Sequence, residues 1–224
     1  MSENPSELKA IYAERFAGQE EYRERVWRTL IDDFFQPYVP TGGATLDLGC
    51  GHGEFINQVQ CARKYGMDLN PATAALLDPS VQLFSQDCSQ PWELGNSVLD
   101  VVFTSNFFEH LPNKRALSDT LAQACRCLKS GGRLMALGPN IKYLPGAYWD
   151  FWDHHLALTE LALQEALTLQ GFKIERCISR FLPYTMSQGR QYPPSFLKLY
   201  LKLPFVWPLF GKQFLVIARK DKIE

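Results

Sequence analysis

The sequence lacks the features that mark several large classes of protein. Its 23 basic and 24 acidic side chains give a formal net charge of -1, so no global positive field suggests binding to nucleic acid. The N-terminus is polar and acidic, without the basic start and apolar core of a secretory signal. The longest apolar stretch near the C-terminus, Leu203 to Phe210, contains two prolines and is too short to span a bilayer.

The cysteine pattern is equally uninformative about metals and crosslinks. None of the six cysteines belongs to a C-x-x-C pair, and their spacing matches neither a zinc site nor a disulfide framework. A reduced, cytoplasmic setting is therefore expected. The length of 224 residues fits one domain over 1–224 and suffices to bury both faces of a sheet.

Strands and helices are predicted to alternate along the chain. Helical spacing of apolar residues predicts helices over 7–36 (broken at Gly18), 114–128 and 159–169, and a further helix is expected to start over 53–60. The tetrapeptide Lys129-Ser130-Gly131-Gly132 is expected to end the helix over 114–128. Short apolar runs predict strands at 44–48, 62–68, 81–85, 98–104, 133–137, 172–179 and 213–219. This order indicates a doubly wound α/β fold, a mainly parallel sheet with helices on both faces.

Polar motifs follow three consecutive predicted strands, where such sheets bind ligands. The run Leu46-Asp47-Leu48-Gly49-Cys50-Gly51-His52-Gly53 follows the first strand, and its glycines permit a tight turn and a close approach of the backbone to a ligand. Asp68 ends the second strand, where a carboxylate can accept both hydroxyls of a ribose. Asp87 and Cys88 follow the third strand, where a polar residue can contact an adenine edge.

Five successive motifs together resemble one family. They read L-D-L-G-C-G-x-G-x-F, G-M-D-L-N-P, Q-D-C, L-D-V-V-F-T-S-N-F-F-E-H-L and L-K-S-G-G-R-L. Over residues 44–140 they are similar to the motifs of class I S-adenosylmethionine-dependent methyltransferases of small molecules, and in particular to O-methyltransferases of the ubiquinone-biosynthesis type. The resemblance implies a Rossmann-like sheet of seven strands with the last one antiparallel.

The resemblance also implies roles for individual residues. Asp47, Gly49, Cys50, Gly51 and Gly53 would surround the methionine part of S-adenosylmethionine. Asp68 would hold the ribose, and Leu69 would lie against the adenine. Asp87 and Cys88 would meet the adenine amino group, and Ser105 and Asn106 would lie under the methionine and the sulfonium.

The charge of the glycine loop agrees with this cofactor. Asp47 would repel a pyrophosphate but attract the α-ammonium of a methionine, which favours S-adenosylmethionine over NAD. A nicotinamide dehydrogenase should also have G-x-G-x-x-G here. A methyltransferase that acts on amino groups of nucleic acid should have Asn/Asp-Pro-Pro-aromatic after the fourth strand, where this chain has Ser105-Asn106-Phe107-Phe108. A non-catalytic binding protein with the same fold is the remaining alternative, against which the acidic residues Asp68 and Asp87 argue.

Candidates for general base catalysis lie in two places. His110 follows the fourth strand, and the cluster Asp153-His154-His155 follows the fifth; an acid there could orient an imidazole base or bind a hydroxylated acceptor. The alternatives are that His110 packs beside the cofactor and that Asp153 and His155 cap the helix near Thr159. A metal held by His110, Asp153 and His154 lacks ligand spacing, so no metal is expected.

We expect the chain to divide by function into a helical N-terminal cap (1–40), a cofactor-binding core (41–140) and two substrate-cap segments (141–158 and 180–212). The second cap segment is rich in aromatic and basic residues and has no Asp or Glu. This composition suggests a small-molecule or lipid-linked acceptor, or peripheral contact with a membrane, whereas a dimer contact or a helix over the sheet is the plainer alternative. Oxygen is the first choice of methylated atom, before nitrogen and carbon, and no nucleic-acid partner is expected.

Overall fold

The fold is built on one sheet of seven strands in a computed structural model that describes residues 18–184 and 191–221. The strand order is β3-β2-β1-β4-β5-β7-β6. The strands are β1 Ala44–Leu48, β2 Arg63–Met67, β3 Val81–Phe84, β4 Leu99–Ser105, β5 Leu128–Pro139, β6 Phe172–Leu182 and β7 Gln213–Lys220. Strands β1 to β5 pair in parallel, whereas β7 is antiparallel to both of its neighbours. The predicted sheet, with its antiparallel last strand, is therefore confirmed.

Helices cover both faces of this sheet, as predicted. The helices are α1 Glu20–Leu30, α2 Lys114–Cys127, α3 Glu160–Leu169, α4 Pro194–Leu201 and α5 Trp207–Phe210. One buried cluster joins the sheet to α2 and α3, and a second joins it to α1, α4 and α5. Successive side chains of β7 alternate between these clusters, since Phe214 and Val216 belong to the first and Leu215 and Ile217 to the second. This two-residue period is that of a strand buried on both faces.

Capping side chains begin the two helices of the first face. The side chain of Asn113 accepts the N–H of Ala116 at α2, and that of Thr159 accepts the N–H of Ala162 at α3. Each bond satisfies one of the N–H groups that a helix N-terminus leaves without an intrahelical partner. The predicted cap at Thr159 is thus confirmed, and no capping bond is needed from Asp153 or His155.

Three local predictions need correction or fall outside the described residues. Residues 53–60 form successive turns rather than a helix. The N–H groups of Asn57 and Val59 bond four residues back, whereas that of Gln58 bonds three residues back to Phe55, so the helical hydrogen bonds are not continuous. The tetrapeptide at 129–132 extends β5 instead of closing α2, because Leu128 already pairs with Leu99 of β4. The part of the first predicted helix before Gly18 lies outside the described residues.

The two predicted cap segments consist mainly of short helices, 3₁₀ turns and loops. The segment 141–158 contains 3₁₀ turns at Ile141–Tyr143 and Ala147–Asp150. The described part of 180–212 contains α4 and α5, joined by a 3₁₀ turn at Pro204–Val206. None of the helices in the described ranges is long and apolar enough to cross a membrane.

The residues that follow α1 pack against the sheet through the aromatic ring of Phe35. Phe35 is fully buried, and its ring lies edge-on to those of Phe103 and Phe55 at centroid distances of 5.2 and 6.2 Å. The rings of Phe55 and Phe103 are themselves stacked at 3.7 Å. This packing joins the N-terminal helix to β4 and to the turn that follows β1.

Replacing Phe35 with alanine should therefore leave a cavity between helix and sheet. We expect Phe35→Ala to lower the free energy of unfolding by about 3–5 kcal/mol, the usual cost of a buried Phe→Ala change. Urea denaturation followed by circular dichroism measures the change. Leu169→Ala, at an exposed side chain, is the control and should stay within about 0.5 kcal/mol of the wild type; a Phe35→Ala loss of that same size would contradict the packing described.

Candidate active site

The glycine loop after β1 has the backbone conformation that the sequence predicted. Gly49, Gly51 and Gly53 have φ angles of 69°, 49° and 75°, in the left-handed region that side chains with a Cβ avoid. A Cβ at Gly49 would also collide with the ring of Phe107. The glycines are required by both geometry and packing, and they leave the loop's backbone bordering the pocket.

Asp68 ties the loop after β1 to the turn after β2. One carboxylate oxygen accepts the N–H of Gly51 at 2.7 Å, and the other accepts the N–H of Asn70 at 2.8 Å. Burial raises the pKa of the Asp68 carboxyl, whereas the N–H groups of Asn70 and Gly51 lower it. Asp68 therefore stands fixed at the carboxyl end of β2, where a ribose-binding acid was predicted.

Asp47 is an acid buried beneath the same loop. Its side chain is almost completely buried and borders the pocket. Burial raises the pKa of the Asp47 carboxyl well above its ordinary value, the nearby Glu54 and Asp68 carboxylates raise it further, and the N–H of Ile56 lowers it. A positively charged group in the pocket would therefore favour the ionised form of this carboxyl.

The predicted adenine side is only partly open. The carboxylate of Asp87 accepts the N–H and the hydroxyl of Ser89, and Leu69 is exposed. The Cys88 side chain, in contrast, is buried in the cluster that joins the sheet to α2 and α3, where its sulfur accepts the hydroxyl of Thr120. The Cys88 thiol therefore faces the core and not a ligand, a direction that the local motif could not reveal.

The residue that follows β4, beside the pocket, has a strained backbone conformation. Asn106 has a φ of 49° although it is not a glycine, and its side-chain N–H donates to the hydroxyl of Ser105 at 3.2 Å. Such strain is typically stored at functional sites. Both residues line the pocket together with Asp47, Gly49, Cys50 and Gly51, so the structure brings the predicted methionine-side residues together, except Gly53.

Another part of the pocket wall is formed by His110, whose ring is oriented by Asp153. His110 Nδ1 lies 2.9 Å from the main-chain oxygen of Asp153 and 3.2 Å from its carboxylate. Because a carbonyl oxygen can only accept, Nδ1 carries the proton. In the neutral imidazole Nε2 is then the nitrogen that can accept a proton. The predicted pairing of a histidine with an acid from the 153–155 cluster is present, with His110 as the histidine.

The two other histidines of the cluster differ in position. His154 is buried, lines the pocket and packs its ring on Phe151 at a centroid distance of 4.9 Å. His155 is exposed, outside the pocket wall, and its main-chain N–H donates to the carbonyl of Glu109. The ring of His154, and not that of His155, therefore joins His110 at the site.

Glu109, His110 and His154 each place one potential metal-ligand atom within 4.8 Å of the others. This trio differs from the set considered from the sequence, since Glu109 takes the place of Asp153. Asp153 instead lies behind His110, where it contacts Nδ1. The expectation that no metal is bound remains a prediction.

The sequence did not identify the part of the pocket that comes from α1 and from the turn after β1. Arg23 pairs with Glu54 at 2.5 Å, both side chains are mostly buried, and both line the pocket with Trp27. Helical periodicity predicted α1 but not which of its faces covers the glycine loop. A cation and an acid beside Asp47 give the pocket charges of both signs.

Comparison with known proteins identifies the family. Residues 19–176 match the family model described as a methyltransferase domain, which covers more than half of the chain. No curated protein matches the sequence.

Solved structures with the same fold include several methyltransferases. An S-adenosylmethionine-dependent methyltransferase from Archaeoglobus fulgidus is 20% identical, with a TM-score of 0.68 over 95% of this chain and 99% of that one. A second, from Thermotoga maritima, is 16% identical, with a TM-score of 0.66 over 94% and 98%.

A more distant structure contains bound S-adenosylhomocysteine. Geranyl diphosphate C-methyltransferase from Streptomyces coelicolor, solved with Mg²⁺, geranyl diphosphate and S-adenosylhomocysteine, is 14% identical, with a TM-score of 0.58 over 85% of this chain and 76% of that one. At these identities the structures establish the fold alone. With the family model and the loop geometry, they lead to one conclusion: the chain belongs to the S-adenosylmethionine-dependent methyltransferases of class I.

Proposed function

We propose that this methyltransferase moves the methyl group of S-adenosylmethionine to a hydroxyl oxygen of a small-molecule or lipid- or sugar-type acceptor, with His110 as general base. The observation that carries the proposal is the contact of His110 Nδ1 with Asp153 in the wall of the pocket that Asp47 and the glycine loop also line. Nitrogen or carbon as the methylated atom, and binding without catalysis, are the alternatives.

The residues around the glycine loop fit the methionine end of the cofactor. Asp47 offers a buried carboxylate for the α-ammonium, and Arg23 offers a guanidinium for the carboxylate, as opposite charges in a site shielded from water attract strongly. Asp68 offers its carboxylate to the ribose hydroxyls. The expected contacts of Gly53, Leu69, Asp87, Ser105 and Asn106 complete this assignment. No side-chain contact is assigned to Cys88, because its thiol faces the core.

When bound, the sulfonium of the cofactor supplies a methyl group whose leaving group is a neutral thioether. The chain must then orient the acceptor and remove its proton. His110 is suited to the second task, because Asp153 holds its protonated nitrogen and directs Nε2 as the acceptor. Asp153 acts as a positioning residue in this proposal. We assign no step to His155, which lies outside the pocket wall.

The acceptor would be enclosed by the predicted substrate caps. Phe151 and His154 from 141–158, and Leu182 and Tyr184 from 180–212, line the pocket. On the opposite side Trp27 stands edge-on to Phe103, with centroids 5.9 Å apart. Aromatic walls with a few polar groups are typical of sites for small organic ligands. This lining supports an acceptor with an apolar body and a reactive hydroxyl.

The raised pKa of Asp47 makes a prediction about stability. Between its unfolded and folded pKa values the folded state binds more protons, so stability falls as the pH rises through this window. We expect Asp47→Asn to raise the free energy of unfolding at pH 7, because the neutral amide avoids the cost of burying an ionised carboxylate beside Glu54 and Asp68. Urea denaturation over a range of pH measures the difference, which should vanish below the ordinary value of 3.8.

The same substitution should weaken binding of S-adenosylhomocysteine, which retains the α-ammonium. A variant that is more stable yet binds poorly would show that Asp47 is kept for the ligand and not for the fold. Asp119→Asn, at an exposed carboxylate on α2, is the control and should change neither quantity. Lower stability of Asp47→Asn at pH 7 would contradict the electrostatic argument.

Removing the Asp68 carboxylate should abolish cofactor binding. Asp68→Ala loses both the proposed ribose contact and the bonds that hold Gly51 and Asn70 in place. We expect no measurable binding of S-adenosylhomocysteine by calorimetric titration, against micromolar binding by the wild type, with NAD bound by neither. Asp119→Ala should bind as the wild type does. Unchanged affinity in Asp68→Ala would overturn the assignment of the cofactor site.

Replacing His110 should separate chemistry from cofactor binding. Loss of a general base lowers the rate by about 10²–10⁴, so His110→Gln should lower kcat by that factor and leave the Kd for S-adenosylhomocysteine unchanged. Turnover is measured as S-adenosylhomocysteine formed with an acceptor found by screening hydroxylated compounds. His155→Gln is the matched control and should keep the wild-type rate. Full activity of His110→Gln would remove the base from the mechanism.

A further inference from the structure

Exposed apolar side chains are concentrated in two segments near the acceptor side of the pocket. Of the twelve large apolar side chains that are exposed in the described ranges, eight lie within 149–152 or 192–210. Among these eight, the most exposed are Trp152 at 91%, Phe205 at 73% and Leu209 at 69%. Single exposed apolar residues are ordinary, whereas a concentration of them marks an interaction surface. We call the exposed side chains of these two segments the apolar patch.

Contacts among their flanking residues show that the two segments lie beside each other. The Arg180 guanidinium lies 4.7 Å above the ring of Tyr143 and also donates to the carbonyls of Gly211 and Leu209 at 2.8 and 3.3 Å. The rings of Phe151 and Tyr184, 5.8 Å apart, belong at the same time to the pocket wall. The first segment of the apolar patch therefore borders the pocket through Phe151, and Arg180 links the second segment to the residues before the first.

The charges beside the patch are mostly positive. Residues 191–212 include three lysines and no Asp or Glu. Lys198 pairs with Asp33 at 3.3 Å, whereas Lys202 and Lys212 are exposed. The first segment contributes one exposed acid, Asp150. Aromatic and aliphatic side chains accompanied by lysines match a surface with an apolar interior and anionic head groups.

We propose that the apolar patch docks this enzyme on the surface of an anionic lipid bilayer and that its acceptor reaches the pocket from that surface. The docking stands on the patch alone, whereas the statement about the acceptor rests on the proposed function. Helix α4 has eight residues, far fewer than the roughly 20 needed to span a bilayer. Its Phe196 and Leu199, one turn apart and exposed, suit insertion at the interface, because Trp, Phe and Leu form the apolar face of helices that lie there.

A second copy of the chain fits the same surface less well. In a twofold dimer the same patch faces itself, so two surfaces that each carry Lys202 and Lys212 would face each other. Lysine is depleted in protein interfaces for this reason and because its ammonium is costly to desolvate. An anionic bilayer offers the opposite charge instead.

Sedimentation with lipid vesicles tests the docking. We expect the wild type to bind vesicles of phosphatidylcholine with phosphatidylglycerol and to bind phosphatidylcholine alone much more weakly. The triple variant Trp152→Ser, Phe205→Ser, Leu209→Ser should lose binding to both. Lys202→Gln and Lys212→Gln should each weaken binding to the anionic vesicles about fivefold, the contribution of one lysine near such a surface.

The control is Leu161→Ser, Leu169→Ser, which changes two exposed leucines of α3 outside the patch and should bind vesicles as the wild type does. Wild-type protein that binds neither kind of vesicle would overturn the proposal. So would a stable dimer, seen by light scattering, that the triple variant dissociates. Calorimetric titration with S-adenosylhomocysteine, in solution without lipid, should give the same Kd for all variants. Failure of that titration in the wild type would defeat the proposed function and leave the docking result standing.

Discussion

The parallel pairing of β1 with β4 is the constraint on which the site depends. The register places Leu48 beside Thr104, so the glycine loop after β1 and the residues after β4 emerge next to each other. The chain leaves β1 toward β2 and β3 on one side, and leaves β4 toward β5 on the other. A crevice opens at this reversal of strand order. Asp47 and Asn106 enter the same pocket because of the strand order, although they are far apart in sequence.

The crevice also explains why the site is electrostatically costly for the folded chain. Burial and two neighbouring carboxylates oppose ionisation of Asp47, and burial opposes that of Asp68. A chain selected for stability alone would not keep two acids in one partly desolvated place. The positive φ of Asn106 adds backbone strain at the same edge of the sheet. These costs become intelligible if a cationic ligand offsets them, as the α-ammonium and the sulfonium of S-adenosylmethionine would.

The sequence predicted what depends on local pattern and failed where packing between distant segments decides. Short apolar runs predicted all seven strands, helical spacing predicted the helices observed at Lys114–Cys127 and Glu160–Leu169, and glycine spacing predicted the loop. The motif around Cys88 could not show that the thiol points into the core, because that direction depends on Thr120 of α2. Nor could helical periodicity show that Arg23 meets Glu54, since the face of α1 that covers the loop depends on how the helix packs on the sheet.

The two halves of the pocket have different origins in the fold. The proposed cofactor half is lined by residues at the ends of β1 and β4 and by residues of α1, and the hydrogen bonds of the sheet set the spacing of the two strands. The proposed acceptor half is lined largely by two segments, 141–158 with Phe151 and His154, and 180–212 with Leu182 and Tyr184. The same segments carry the apolar patch. A change in them would alter acceptor preference and surface attachment together, because Phe151 and Tyr184 line the pocket while neighbouring side chains of the same segments face solvent. Selection for an acceptor that resides in a lipid surface would act on both properties at once, which gives a physical reason for one stretch of chain to be both aromatic inside the pocket and apolar outside it.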